Sequence, residues 1–161
     1  MSSALVEPVI HVIDDEAPFR RSLIFLLESA GWTAVGHDSA ESFLGADPAI
    51  PPAGGCLVLD IRMTGMSGLE LQCRLASRSS PWPIVFISGH ADAAMAAHAL
   101  MASAVAFLRK PFKDDVLLDA VEHAVAASLH SVRSVGSKPA TTAEMADAEG
   151  LVRHPALTGF D

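Results

Sequence analysis

The chain has 161 residues, half of them hydrophobic, and a net charge of −8. That length fits one domain with a real core, and the acidic balance argues against direct nucleic-acid binding by this chain, because phosphate binding needs a basic face. The first apolar run, residues 9–13, is too short for a secretory signal and lacks its basic flank, and no run approaches a membrane span, so a soluble cytoplasmic protein with no membrane contact is expected.

Val9, Ile10, Val12 and Ile13 make the first buried strand, which ends in Asp14-Asp15-Glu16. Pro18 suits the first turn of a helix, where its missing N–H costs nothing. Phe19, Leu23, Leu26, Leu27 and Ala30 then fall on one helical face, and Gly31 is a natural stop. Residues 32–36 read as a second strand. Asp38 and Glu41 have the spacing of a capping box for a brief helix carrying Phe43 and Leu44. After a loop with Pro51 and Pro52, the aliphatics of residues 56–59 form an unbroken run of the kind buried on both faces of a parallel sheet. Asp60 closes that run. Taken alone, it serves equally well as a turn cap or as a group at the rim where open α/β sheets hold their sites.

Ser67 and Glu70 form a second capping box, opening a helix expected to bury Leu69, Cys73 and Ala76. With Cys56 in the strand pattern, both cysteines are expected as reduced core residues. Pro81 and Pro83 lead into a fourth strand, residues 84–87, which ends in Ser88-Gly89-His90. Asp92 caps an alanine- and methionine-rich segment, residues 93–102, with almost no charged face. It reads either as a buried helix or as an adaptable apolar patch for a partner or a second copy. A fifth strand, residues 105–108, runs into Arg109-Lys110-Pro111-Phe112. The last helix starts near Asp114 and sets Leu117, Ala120, Val121, Ala124 and Ser128 on one stripe. From Ser131 the composition turns to Ser, Thr, Gly, Pro and Ala. Residues 1–130 are therefore expected as one domain, and 131–161 as a flexible linker or tail with no second domain.

Five alternations of strand and helix with short connections predict an α/β fold: a doubly wound five-stranded parallel sheet in three α/β/α layers. Polar groups close the first, third, fourth and fifth strands at their C-terminal ends, so Asp14, Asp15, Asp60, Ser88 and Lys110 converge on one rim. Three carboxylates packed together repel one another, and a hard divalent cation, Mg²⁺ or Mn²⁺, relieves that cost. The seven histidines are scattered, without zinc spacing. A lysine and a serine aimed at the same place supply what an anionic phosphoryl group needs. One carboxylate is then a candidate nucleophile.

These residues carry a resemblance. VIDDE at 12–16, DIRM at 60–63 with Gly68 eight residues after Asp60, ISGH at 87–90 and FLRKPF at 107–112 resemble the receiver domain of two-component response regulators, more closely the FixJ-like group. The match runs from residue 9 to residue 129. It implies a flavodoxin-like, CheY-like (βα)5 fold and a phosphorelay role as a phosphoacceptor, with at most weak intrinsic autophosphorylation and autodephosphorylation. By the same resemblance Asp60 is the phosphoacceptor. Asp15 and Asp60 bind Mg²⁺ directly, Asp14 acts through water, and the backbone carbonyl of Arg62 completes the set. Lys110 pairs with the phosphoryl group and Pro111 follows it through a cis peptide bond. Ser88 and Phe107 fill the two switch positions, and Arg62 and His90 tune how long the phosphate survives. The implied partners are a histidine kinase or phosphotransfer protein, and a second copy docked through the face of the fourth expected helix, fifth strand and last helix.

The chain departs from the pattern at Thr64, where a proline is usual and a looser loop is expected, and at Met101, Ser103 and Arg109. Two other classes compete. An aspartyl-nucleophile phosphatase usually has a second acid two residues after the nucleophile, where this chain has Arg62. A flavodoxin-like flavin binder needs a phosphate-cradling Ser/Thr/Gly loop after the first strand, where this chain has carboxylates. Beyond these, the chain reads either as a stand-alone receiver or as the receiver part of a DNA-binding transcriptional regulator.

Overall fold

The short apolar runs become the strands of a single parallel sheet. The computed structural model describes residues 7–78, 82–89 and 104–133. In chain order these form β1 (Val9–Ile13), α1 (Ala17–Ser29), β2 (Thr33–His37), α2 (Ala40–Ala46), β3 (Gly55–Asp60), α3 (Gly68–Ser77), β4 (Ile84–Ser88), β5 (Ala106–Arg109) and α4 (Asp114–Arg133). The strand order is β2-β1-β3-β4-β5 and every pairing is parallel. The chain steps from β1 outward to β2, then crosses back to β3 on the other side. Between β1 and β3 the winding reverses, which leaves a crevice beyond the carboxyl ends of those strands.

β3 is buried along its whole length. Its side chains alternate between two cores. Cys56 and Val58 pack with Leu23 and Leu27 of α1 and with Leu117, Val121 and Ala124 of α4. Leu57 and Leu59 pack with Phe43 of α2 and with Leu71 and Leu75 of α3. Helices on both faces are the reason the β3 sequence is apolar without a break. Each fully buried Val, Leu or Phe contributes roughly 1.5–3 kcal/mol, so the strand ends that carry the polar groups are held by a stiff base.

Local chemistry sets the helix ends. Pro18 sits in the first turn of α1, and Gly31 just past its end takes φ +97°, a conformation that favours glycine. The Ser67–Glu70 capping box is formed in both directions. The stripe of Leu117, Ala120, Val121, Ala124 and Ser128 is buried throughout.

Other expectations are corrected. α2 is capped by Ser39, whose hydroxyl oxygen accepts from Ser42 N at 3.0 Å, and not by Asp38. Glu41 turns away and accepts from Met66 N at 3.0 Å. α3 buries Gly68, Leu71, Gln72 and Leu75, leaving Leu69 half-buried and Cys73 and Ala76 exposed. Gly68 packs directly against the backbone of Asp60 and Ile61, and that approach sets the rotation of the whole helix. Cys73 is therefore a surface thiol, whereas Cys56 is a core residue as expected. Ala30, expected on the buried face of α1, is exposed at its C-cap. The last helix continues to Arg133. Pro81, His90, the methionine-rich segment at 93–102, Ser103 and residues 134–161 lie outside the described residues. Among the described residues no helix is long and apolar enough to cross a membrane.

Candidate functional site

The strand ends meet as the topology requires. Asp14 follows the last residue of β1, Asp60 is the last residue of β3, Ser88 is the last of β4 and Lys110 follows β5. Asp14, Asp60 and Ser88 are buried, Asp15 and Lys110 half-buried. One carboxylate oxygen from each of Asp14, Asp15 and Asp60 lies within 4.8 Å of the others. Lys110 Nζ stands 3.5 Å from Asp60 Oδ2, 3.7 Å from Asp14 Oδ2 and 3.9 Å from Glu16 Oε1. It also lies 4.0 Å from the centroid of the Phe19 ring, a cation–π contact that steers the ammonium from the α1 side. The Lys110–Pro111 peptide bond is cis, and Lys110 N donates to the Ser88 carbonyl at 2.8 Å.

Each acid is held differently. Asp14 Oδ1 accepts from Glu16 N at 2.8 Å, and the Asp14 carbonyl accepts from the Arg20 guanidinium at 2.6 Å. Asp14 Oδ2 is buried without a hydrogen-bond donor, and Lys110 Nζ stands 3.7 Å from it. Asp15 Oδ2 accepts from both Thr64 N at 2.8 Å and Thr64 Oγ1 at 3.1 Å. Asp60 Oδ1 accepts from Arg62 N at 3.3 Å. Burial pushes the Asp60 carboxyl up to about 6, the Asp14 carboxylate pushes the same way, and Lys110 and the Arg62 amide oppose them.

The donor set is therefore all oxygen, crowded and short of positive charge, with one buried oxygen lacking any donor. It fits a small hard cation such as Mg²⁺ and suits neither zinc nor a soft metal. Phe107, half-buried in β5 opposite Phe86, packs against the core shared with α2 and α3. The Arg62 side chain is exposed beside the pocket.

Comparison with known proteins agrees with this geometry. A model of the response regulator receiver domain matches residues 10–122. The chain belongs to the response regulator receiver family. The transcriptional regulatory protein FixJ of Bradyrhizobium diazoefficiens is 46% identical over 116 residues, covering 72% of this chain and 56% of that protein. Among solved structures, a crystal structure of FixJ-N aligns with a TM-score of 0.67 at 42% identity, over 73% of this chain and 93% of that one. The response regulator StyR aligns with a TM-score of 0.74 at 41% identity, over 81% of this chain and 65% of that one. This receiver is thus FixJ-like, and the chain spans a little over half the length of the curated relatives it matches. Receivers of this family are typically phosphorylated and Mg²⁺-dependent, and typically not true enzymes.

The structure brings Asp14, Asp15, Asp60 and Lys110 together, as the strand ends predict. It also shows supporting residues that the strand-end pattern does not reveal. Phe19 and Arg20 reach the rim from α1, a contact between separate elements with no local signature. Glu41 accepts from Met66 N and sits close to Gly65, so α2 anchors the loop after β3. Thr64 was expected to loosen that loop. Instead its backbone N–H, which proline lacks, ties the loop to Asp15.

Proposed function

We propose that this receiver accepts a phosphoryl group on Asp60 from a phosphohistidine of a histidine kinase or phosphotransfer protein, in the cytoplasm. The observation that carries the reading is Asp60 itself: a buried carboxylate at the switch point, 3.5 Å from Lys110 and flanked by two further acids. A carboxylate oxygen of Asp60 attacks the phosphorus in line. The new P–O bond forms as the P–N bond breaks, and the departing imidazole keeps the electron pair and takes a proton from water. Lys110 follows the charge, leaving its contact with Asp60 for a phosphoryl oxygen.

Asp15, Asp60, the Arg62 carbonyl and, through water, Asp14 would hold Mg²⁺ (or Mn²⁺). When bound it neutralises the carboxylates and the phosphoryl oxygens. The Ser88 hydroxyl then turns toward the phosphoryl group and Phe107 moves into the space released, which reshapes the face of β5 and the last helix for a partner or a second copy. Arg62 and His90 tune the lifetime of the phosphoryl group. Intrinsic autophosphorylation and autodephosphorylation are weak. A second reading is favoured by the 56% of FixJ that the match covers: the same switch working inside a longer DNA-binding transcriptional regulator.

The test is labelling by a small-molecule phosphodonor with Mg²⁺. One acid-stable, hydroxylamine-labile phosphoryl group per chain is expected, and none on Asp60→Asn. Label that persists on Asp60→Asn overturns the assignment.

A further inference from the structure

The loop after β3 contains an exposed residue whose two donors both serve one acid of the pocket. Thr64 N and Thr64 Oγ1 donate to the same oxygen, Asp15 Oδ2, at 2.8 and 3.1 Å. A carboxylate oxygen has about two lone-pair directions, so Oδ2 is saturated. Both of these hydrogen bonds fall on Oδ2 and neither uses the other oxygen, Oδ1. The loop that carries Thr64 is fixed in turn: Gly65 takes φ +82°, and Glu41 Oε2 accepts from Met66 N at 3.0 Å. Asp15 lies at the rim and is only half-buried, so its own packing leaves the carboxylate free to rotate into solvent.

We infer that Thr64 is a positioning residue for the divalent cation: it locks the Asp15 carboxylate by one oxygen and thereby presents the other to the metal. This rests on the reading of Asp14, Asp15 and Asp60 as a Mg²⁺ pocket. Ligating carboxylates that are themselves hydrogen-bonded lose less freedom on binding, and loss of such supporting partners typically weakens metal affinity about 10–100-fold. The double donation also explains why this chain tolerates threonine there. A proline at 64 has neither the amide hydrogen nor the hydroxyl, so Asp15 in such a chain must be oriented by other means.

The experiment is calorimetric titration of Mg²⁺ into the full chain and into three Thr64 variants, with an Asp15→Asn control. Thr64→Ser keeps both donors and binds within about twofold of the parent. Thr64→Val keeps the branched shape and the amide but loses the hydroxyl, and binds about threefold more weakly. Thr64→Pro loses both and binds about 10-fold more weakly or worse. Thermal midpoints of the parent, Thr64→Ser and Thr64→Val in EDTA coincide, which separates positioning from folding. If the parent binds Mg²⁺ and Asp15→Asn does not, yet Thr64→Val and Thr64→Pro match or exceed the parent, the role of Thr64 is overturned and the pocket stands. If the parent binds no Mg²⁺, both fall together.

Discussion

His11 Nδ1 and His37 Nε2 lie 2.9 Å apart, joining the middle of β1 to the end of the edge strand β2. One ring must donate and the other accept, so the contact survives when the pair is neutral or holds one extra proton, but not when both rings are protonated. His11 is 6% exposed and is packed edge-on between Phe43 and Trp82. Burial, then the neighbouring His37, lowers His11 to about 4. His37 is also lowered, mainly by burial, with Asp38 opposing and Arg20 adding to the shift.

These depressed imidazoles make stability depend on pH with a definite sign. The unfolded chain takes up protons near 6.5, whereas folded His11 resists until about 4. The neutral-pH stability is complete above 6.5 and is lost as pH falls toward 4. Asp60 works the other way in an overlapping window: its carboxyl rises from 3.8 to about 6 on folding, so acidification relieves it. The two effects largely mask each other in the parent. In an Asp60→Asn background, urea unfolding is expected to show a loss of about 2 kcal/mol between pH 7 and pH 5. Adding His11→Phe removes most of that loss. An undiminished slope in the double variant rules out the histidine pair as its source.

The same carboxyl predicts a variant more stable than its parent. At pH 7.5 without metal, Asp60 is ionised against its burial and against Asp14. Asp60→Asn keeps the shape and removes the charge, so it gains about 1–2 kcal/mol in chemical denaturation. The gain fades as pH falls from about 6 towards 3.8 and is gone well below 3.8, where Asp60 is protonated in both states. A variant less stable than the parent at pH 7.5 would falsify the claim that repulsion dominates this pocket.

The rim was legible in the sequence because its residues close apolar runs, and a strand end points the same way whatever its register. Asp14, Asp60 and Lys110 needed no side-chain detail. The phase of α3 was not legible in the same way: Leu69 with Cys73 and Leu71 with Leu75 both satisfy a helical period, and only the packing of Gly68 on Asp60 decides between them. Ser39 and Asp38 are adjacent residues of equal capping chemistry, so the spacing to Glu41 pointed to the wrong one. At Thr64 the missing proline suggests a looser loop, whereas its own amide and hydroxyl find an acceptor, Asp15, 49 residues away in sequence. His11 and His37 are 26 residues apart and meet only through the β1–β2 pairing.

In the proposed Mg²⁺ pocket, Lys110 competes with the cation for the same oxygens. Its ammonium is 3.5 Å from Asp60 Oδ2 and 3.7 Å from Asp14 Oδ2. Lys110→Met keeps the aliphatic stem and its packing near Phe19 but removes the charge. Mg²⁺ affinity is expected to rise about 3–10-fold, since like charge in a half-buried site repels by on the order of 1 kcal/mol or more. Phosphoryl labelling falls by about 10-fold or more if Lys110 is the proposed clamp on the transferring group. Calorimetry and labelling on the same preparation check both. A fall in both affinity and labelling is incompatible with a competing role.

Gly68 tests whether the α3 contact with β3 matters to the site. A Cβ there meets the Asp60 carbonyl oxygen and carbon and Ile61 Cα. All three are backbone atoms in or next to a fully buried strand and cannot swing aside. Gly68→Ala therefore pushes α3 outward, loosening Leu71 and Leu75 from their core and shifting Asp60, the proposed phosphoacceptor. The expected cost is about 2–4 kcal/mol in urea unfolding, with labelling of Asp60 slowed even under conditions where the variant is folded. Gly45, in α2, has no atom within 4 Å of an added Cβ, and Gly45→Ala should gain about 0.5 kcal/mol from helix propensity. Equal effects of the two substitutions on stability would mean that close approach to Asp60 is not what fixes glycine at position 68.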